Sequence, residues 1–100
     1  MKLERWATGD AIHFRIHGDL DALSAGALRS AFATVPDERP REVELDLKEL
    51  KLIDSSGAGA IVWLFKQLRR HGSDLRVSGL NGQPRAVFEI LGLNRVFRVA

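Results

Sequence analysis

The chain has no cysteine and no tyrosine, and only three prolines and one methionine among its 100 residues. Without cysteine there is no disulfide-stapled fold, no thiolate zinc site and no cysteine nucleophile. No window reaches the ~20 apolar residues of a membrane-spanning helix, so membrane insertion is not expected. The start, Met1-Lys2-Leu3-Glu4-Arg5-Trp6, alternates charge with apolar side chains, unlike a secretory leader, and a cytoplasmic protein is the expectation. Neither sign of charge dominates: 15 Lys and Arg against 13 Asp and Glu leave +2. The basic residues are scattered, Lys66 to His71 being the densest run, and no aromatics interleave with them as a nucleic-acid platform requires. Direct nucleic-acid binding is therefore not expected.

What is present is apolar material, 45% of the residues. One hundred residues is the size of one folding unit, able to bury roughly 60 to 70% of its extended surface. A single domain spanning residues 1–100 is expected. Period-two alternation marks Ile12, Phe14 and Ile16 against His13, Arg15 and His17, then Val43, Leu45 and Leu47 against Glu42, Glu44 and Asp46, then Leu75 and Val77. These read as half-buried strands. Thr8-Gly9-Asp10 reads as the turn of a hairpin whose first strand runs from Leu3 to Ala7. The basic row opposite the acidic row predicts that the first two patterned strands are neighbours.

Helical spacing appears in Leu23, Ala27, Leu28, Ala31, Phe32 and Val35, with Asp21 as N-cap, and again in Ala58, Ile61, Val62, Phe65 and Leu68, closed by Gly72 as the glycine after the C-cap. Pro84, Val87, Phe88 and Leu91 before Gly92 predict a third helix, and Val96, Phe97 and Val99 a last edge strand. Residues 48–53 read as a plain turn. The expected architecture is a small two-layer α/β domain: a mixed, mainly parallel sheet of four to five strands, with helices mainly on one face. Crossover connections then gather the loops Gly18–Asp21, Ile53–Gly57 and Gly79–Gln83 beyond the carboxyl ends of the strands.

Enzyme chemistry is poorly served. There is no Gly-x-Ser-x-Gly elbow and no Walker lysine, and Gly57-Ala58-Gly59 lacks the third glycine of a dinucleotide turn because Val62 stands there. His13 and His17 are about 13 Å apart along a strand, too far to share a metal. No catalytic residue, metal site or cofactor is expected. The segment Asp54-Ser55-Ser56-Gly57-Ala58-Gly59 falls on a strand-to-helix turn at the working edge. It is either an ordinary cap, Asp54 or Ser55 satisfying free N–H groups, or a hydroxyl set where a phosphate would meet those N–H groups and the helix dipole. Trp63 falls opposite the apolar stripe of its helix, beside Gly59; it is either an interface anchor or covered by a neighbouring helix.

Taken together, Gly18-Asp19-Leu20-Asp21 followed by Ser24-Ala25, the strand Val43 to Leu47, Leu52-Ile53-Asp54-Ser55-Ser56-Gly57 and the close Leu91-Gly92-Leu93 resemble the STAS domain of anti-sigma-factor antagonists and sulphate transporters. The resemblance covers nearly the whole chain. It implies a protein-binding switch with no catalysis of its own. Ser55 is then the residue phosphorylated by a GHKL-type serine kinase that doubles as the anti-sigma factor, a PP2C-type phosphatase reverses the modification, and Ser56 is the outside candidate. Asp19, Asp21, Asp54, Ser56, Gly57, Gly59 and Trp63 would form the docking surface. The alternative within the family is an accessory subunit of an ABC lipid-transport or other regulatory complex, which docks without phosphate.

Overall fold

The computed structural model describes residues 1–100. A hairpin opens the chain: β1 (Lys2–Thr8) runs antiparallel to β2 (Ala11–Leu20). Between them lies the two-residue turn Gly9-Asp10, where Gly9 has the positive φ that such a turn demands. The remaining order is α1 (Ala22–Phe32), a 3₁₀ turn (Pro36–Glu38), β3 (Glu42–Asp46), β4 (Leu50–Ile53), α2 (Ser55–Arg70), β5 (Asp74–Ser78), α3 (Gly82–Ile90), a second 3₁₀ turn (Leu93–Arg95) and β6 (Arg98–Val99). The sheet runs β1-β2-β3-β5-β6, with β4 paired to β2 alone, and every pairing except β1 with β2 is parallel.

The sheet has six strands rather than four or five, and the addition that matters is β4. Residues 48–53, expected as a turn, hold a strand that only the tertiary fold reveals. In Leu50–Ile53 the two ends are buried and the middle pair exposed, so no alternation advertises it. β2 is long enough to serve two neighbours in succession: Ala11 to Arg15 pair with β3, and Gly18 to Leu20 pair with β4 across a register shift. The chain therefore leaves β4 next to the end of β2.

One sheet face is apolar, as the alternation predicts. Ile12, Phe14, Ile16, Val43, Leu45, Leu75 and Val77 are all buried there, with α1, α2 and α3 packed over them. The other face is an ion-pair lattice. His13 lies opposite Glu44 and bonds it at 2.9 Å, Arg15 donates to Asp46 at 2.9 Å, and Arg76 reaches Glu44 at 2.9 Å. The opposed rows are neighbours, as the charges imply.

Three helical stripes differ from expectation in detail. In α1, Ala25, Leu28 and Phe32 face the core, while Ala27 is exposed and Leu23 is 94% exposed; a spacing pattern cannot tell which flank of a short helix meets the sheet. In α2, Ala60 and Leu64 join Ala58, Ile61 and Leu68 inside, whereas Val62 and Phe65 are half-buried. This helix packs against both the sheet and α1, so a wider arc is covered than one stripe. In α3 and beyond, Pro84 and Phe88 are buried but Leu91 and Val96 are half-exposed. Phe97 fills that end instead, 5.4 Å from Phe65 and 5.9 Å from Phe88. Gly72 ends α2 as predicted, at φ 77°, with its N–H on Arg69 and the Ser73 N–H on Leu68. No helix is long and apolar enough to cross a membrane.

Candidate functional site

The site begins where β4 ends. The Asp54 N–H donates to the Leu20 carbonyl at 3.2 Å, carrying the β2–β4 pairing one residue past the strand. Asp54 is extended, at φ −110°, and caps α2: its Oδ1 accepts from the Gly57 N–H at 3.0 Å while its carbonyl accepts from Ala58 at 2.9 Å. Of the two possible caps the structure uses the aspartate. That leaves Ser55 and Ser56 as the first two residues of α2, both exposed, with the Ser55 hydroxyl outside the capping hydrogen bonds.

Gly57, expected on the docking surface, shapes the turn. It is buried, and a Cβ in its place would lie 2.6 Å from the Leu20 oxygen, 2.7 Å from Leu20 Cγ and 3.0 Å from Ile53 Cγ1. The glycine lets the first turn of α2 lie directly on the end of β2.

The loop after β2 supplies the rest. Asp21 caps α1, its Oδ1 accepting from Leu23 N–H at 3.0 Å and Ser24 N–H at 3.1 Å, while Ser24 Oγ accepts from the Asp21 N–H at 2.9 Å. This is a reciprocal capping box. The Ser24 N–H above all, with help from the Ser24 hydroxyl and the Leu23 N–H, holds the Asp21 carboxyl below its ordinary 3.8. Asp19, Asp21 and Asp54 line one shallow groove of about 240 Å³ together with Leu20, Leu52, Ile53 and Gln83. The carboxylates expected to gather do so, on the rim from which Ser55 follows.

Gly59 and Trp63 stand further along α2. The Arg29 guanidinium of α1 lies 3.6 Å from where a Gly59 Cβ would be, and Gly59 is half-buried. Trp63 is half-buried and packed against the core.

Three residues of this region escaped the sequence reading. Leu23 and Leu52 project apolar side chains into solvent beside the acidic groove, at 94% and 50% exposure. Helical spacing puts Leu23 on the core stripe, and Leu52 lies in a segment that reads as a turn. Gln83 bonds the Ile53 backbone in both directions, Oε1 accepting at 2.9 Å and Nε2 donating at 2.8 Å; a lone glutamine early in a helix gives no sequence signal of such a contact. The third expected loop is tied in as well, with Asn81 Nδ2 donating to the carbonyls of Gly79 at 2.9 Å and Lys48 at 3.2 Å.

Comparison with known proteins places this geometry in a family. The family model described as "STAS domain" matches residues 3–100. The anti-sigma-B factor antagonist of Listeria monocytogenes is 31% identical over 90 residues, 90% of this chain and 79% of the relative. That of Bacillus subtilis is 28% identical over 89 residues, 89% of this chain and 81% of the relative. Among solved structures, an anti-sigma factor antagonist from Mycobacterium paratuberculosis superposes with a TM-score of 0.89 at 18% identity, covering 98% of this chain and 83% of that one. The Bacillus cell fate determinant SpoIIAA in its phosphorylated form gives 0.78 at 20% identity, covering 99% and 91%. At these identities the two structures speak for the fold.

Proposed function

From the premise that this chain belongs to the STAS domain family, we propose that it is an anti-sigma-factor antagonist switched by phosphorylation of Ser55. Unmodified, it docks a GHKL-type serine kinase that also serves as the anti-sigma factor, and so frees the sigma factor in the cytoplasm. Phosphate on Ser55 breaks that contact, and a PP2C-type phosphatase restores it. The chain's part is to present the acceptor; the nucleotide and the catalytic groups belong to the kinase.

One observation carries this reading: the Ser55 hydroxyl is exposed at the first position of α2, outside the cap, next to a groove lined by three carboxylates. Phosphorylation adds about −1.5 to −2 charge at pH 7. The free N–H groups and positive end of α2 accommodate it, so the fold survives. The surface does not stay the same, because Asp19, Asp21 and Asp54 already make this rim acidic and the added charge disfavours a partner fitted to a hydroxyl. A loss of about 3 kcal/mol is roughly a hundredfold in affinity. Leu23 and Leu52 add apolar contact area to the same rim.

The test is phosphate uptake. Incubated with extract of its own organism and ATP, the protein should gain one phosphate by intact mass, and so should Ser56→Ala, while Ser55→Ala should not. Uptake lost only in Ser56→Ala would move the acceptor by one residue. No uptake by the wild type, with a partner captured regardless of ATP, would replace the switch with the constitutive accessory-subunit role.

A further inference from the structure

β4 is hydrogen-bonded to β2 along one edge, and α3 packs along it on the other side. On that second side a side chain does the work of a strand. Gln83 Oε1 accepts the Ile53 N–H at 2.9 Å and Gln83 Nε2 donates to the Ile53 carbonyl at 2.8 Å. A primary amide offers the same donor and acceptor as a peptide unit, so Ile53 is paired as though a further strand lay beside it.

The base of this contact is itself anchored. Pro84, the next residue, is buried and sets the start of α3 against the core. Just before it, the Asn81 amide ties the loop to the carbonyls of Lys48 and Gly79. Ile53 is the last residue of β4, directly before the cap Asp54 and two before Ser55.

We propose that Gln83 is a positioning residue for the Ser55 acceptor: it fixes the end of β4 from the α3 side, as the Asp54-to-Leu20 hydrogen bond fixes it from the β2 side. The turn that presents the hydroxyl is then held at two points, and α3 is linked to the site. This role rests on Ser55 being the acceptor. Linkage of this kind is reciprocal: loosening Gln83 loosens the turn, and charge placed at Ser55 is felt at the Gln83 amide.

The experiment compares the wild type with Gln83→Leu, which keeps the stem and removes both hydrogen bonds, and with Arg85→Leu as a control elsewhere on α3. Three quantities are read: amide hydrogen exchange, the urea midpoint, and the initial rate of phosphate uptake from cell extract and ATP. In Gln83→Leu the Ile53 amide should exchange about tenfold faster while those of Leu45 and Leu64 keep their rates, and phosphate uptake should slow several-fold. Arg85→Leu should change neither. The Gln83 side-chain NH₂ resonances should also shift in Ser55→Asp.

Unchanged exchange at Ile53 overturns the proposal, and so does faster exchange with wild-type uptake. A fall in the midpoint that accelerates the Leu45 and Leu64 amides as well would make Gln83 a general stabilising residue and equally overturn it. If the wild type itself takes up no phosphate, the acceptor reading fails and the positioning role falls with it, whereas normal wild-type uptake with an indifferent Gln83→Leu removes only the role of Gln83.

Discussion

Leu20 and Gly57 approach so closely that no methyl group fits between them: a Cβ on Gly57 would sit 2.6 Å from the Leu20 carbonyl oxygen. Two segments far apart in the chain, the end of β2 and the first turn of α2, thereby share one surface. The Leu20 oxygen is fixed backbone, already accepting from the Asp54 N–H, so the strain cannot be relieved by a rotamer change. Gly57→Ala should lower stability by about 1 to 3 kcal/mol, the usual cost of overpacking, seen as a lower urea midpoint at unchanged slope. A midpoint equal to that of the wild type would show that the close approach is not needed.

At the neighbouring position, Asp54→Ala and Asp54→Asn separate the cap from the charge. Asparagine can still accept from the Gly57 N–H and should keep nearly full stability, whereas alanine should cost about 1 kcal/mol. If the acidic rim recognises the partner, both variants should bind it more weakly than the wild type does. Full binding by Asp54→Asn would reduce Asp54 to a cap and nothing more.

Ser55→Asp and Ser55→Ala test the switch by binding. Both should fold, since a carboxylate in the first turn of a helix is favoured by about 0.3 to 1 kcal/mol. In a pull-down from extract, the alanine variant should capture the partner as the unmodified protein does, and the aspartate variant should capture much less. Equal capture by the two would contradict the switch.

Leu23→Lys bears on docking alone. With 94% of the side chain exposed, the change should leave stability within about 0.5 kcal/mol and weaken partner capture. A large loss of stability would mean that Leu23 packs in solution as the sequence pattern first suggested.

Acid should destabilise the fold through three carboxyls. A hydrogen bond from His17 holds Glu4 below its ordinary 4.5, and the Ser24 N–H holds Asp21 below 3.8. Burial pushes Asp46 up, but the Lys48 N–H and the Arg15 guanidinium outweigh it and leave it below 3.8. A carboxyl whose pKa is lower in the folded than in the unfolded state stabilises above its unfolded value, and that contribution is lost as pH falls through the folded one. The urea midpoint should therefore hold above about pH 5 and decline below about pH 4. Asp46→Asn should have a lower midpoint at neutral pH and a shallower acid decline; an unaltered decline would remove Asp46 from the account.

How much of this was readable from the chain differs from element to element. The alternation in Ile12-His13-Phe14-Arg15-Ile16 and in Val43-Glu44-Leu45-Asp46-Leu47 placed two strands and their buried face, because a strand with one wet face writes its geometry as period two. Their opposed charges also identified them as neighbours, since cross-strand pairs are local once register is set. β4 left no such trace, its four residues being buried only at the ends. Likewise Leu23 has helical spacing whether it points inward or outward, and nothing within the sequence of α1 chooses between the two.

Local order came from residues that act on their own backbone: Asp21 and Asp54 as caps, Gly9 and Gly72 at positive φ. Such effects span a few bonds and are written into the chain wherever those residues stand. The burial of Gly57 under Leu20 and the clasp of Gln83 on Ile53 depend on where β2, β4, α2 and α3 meet. They arise from long-range packing, which no stretch of neighbouring residues encodes, and so became visible only once the sheet was assembled.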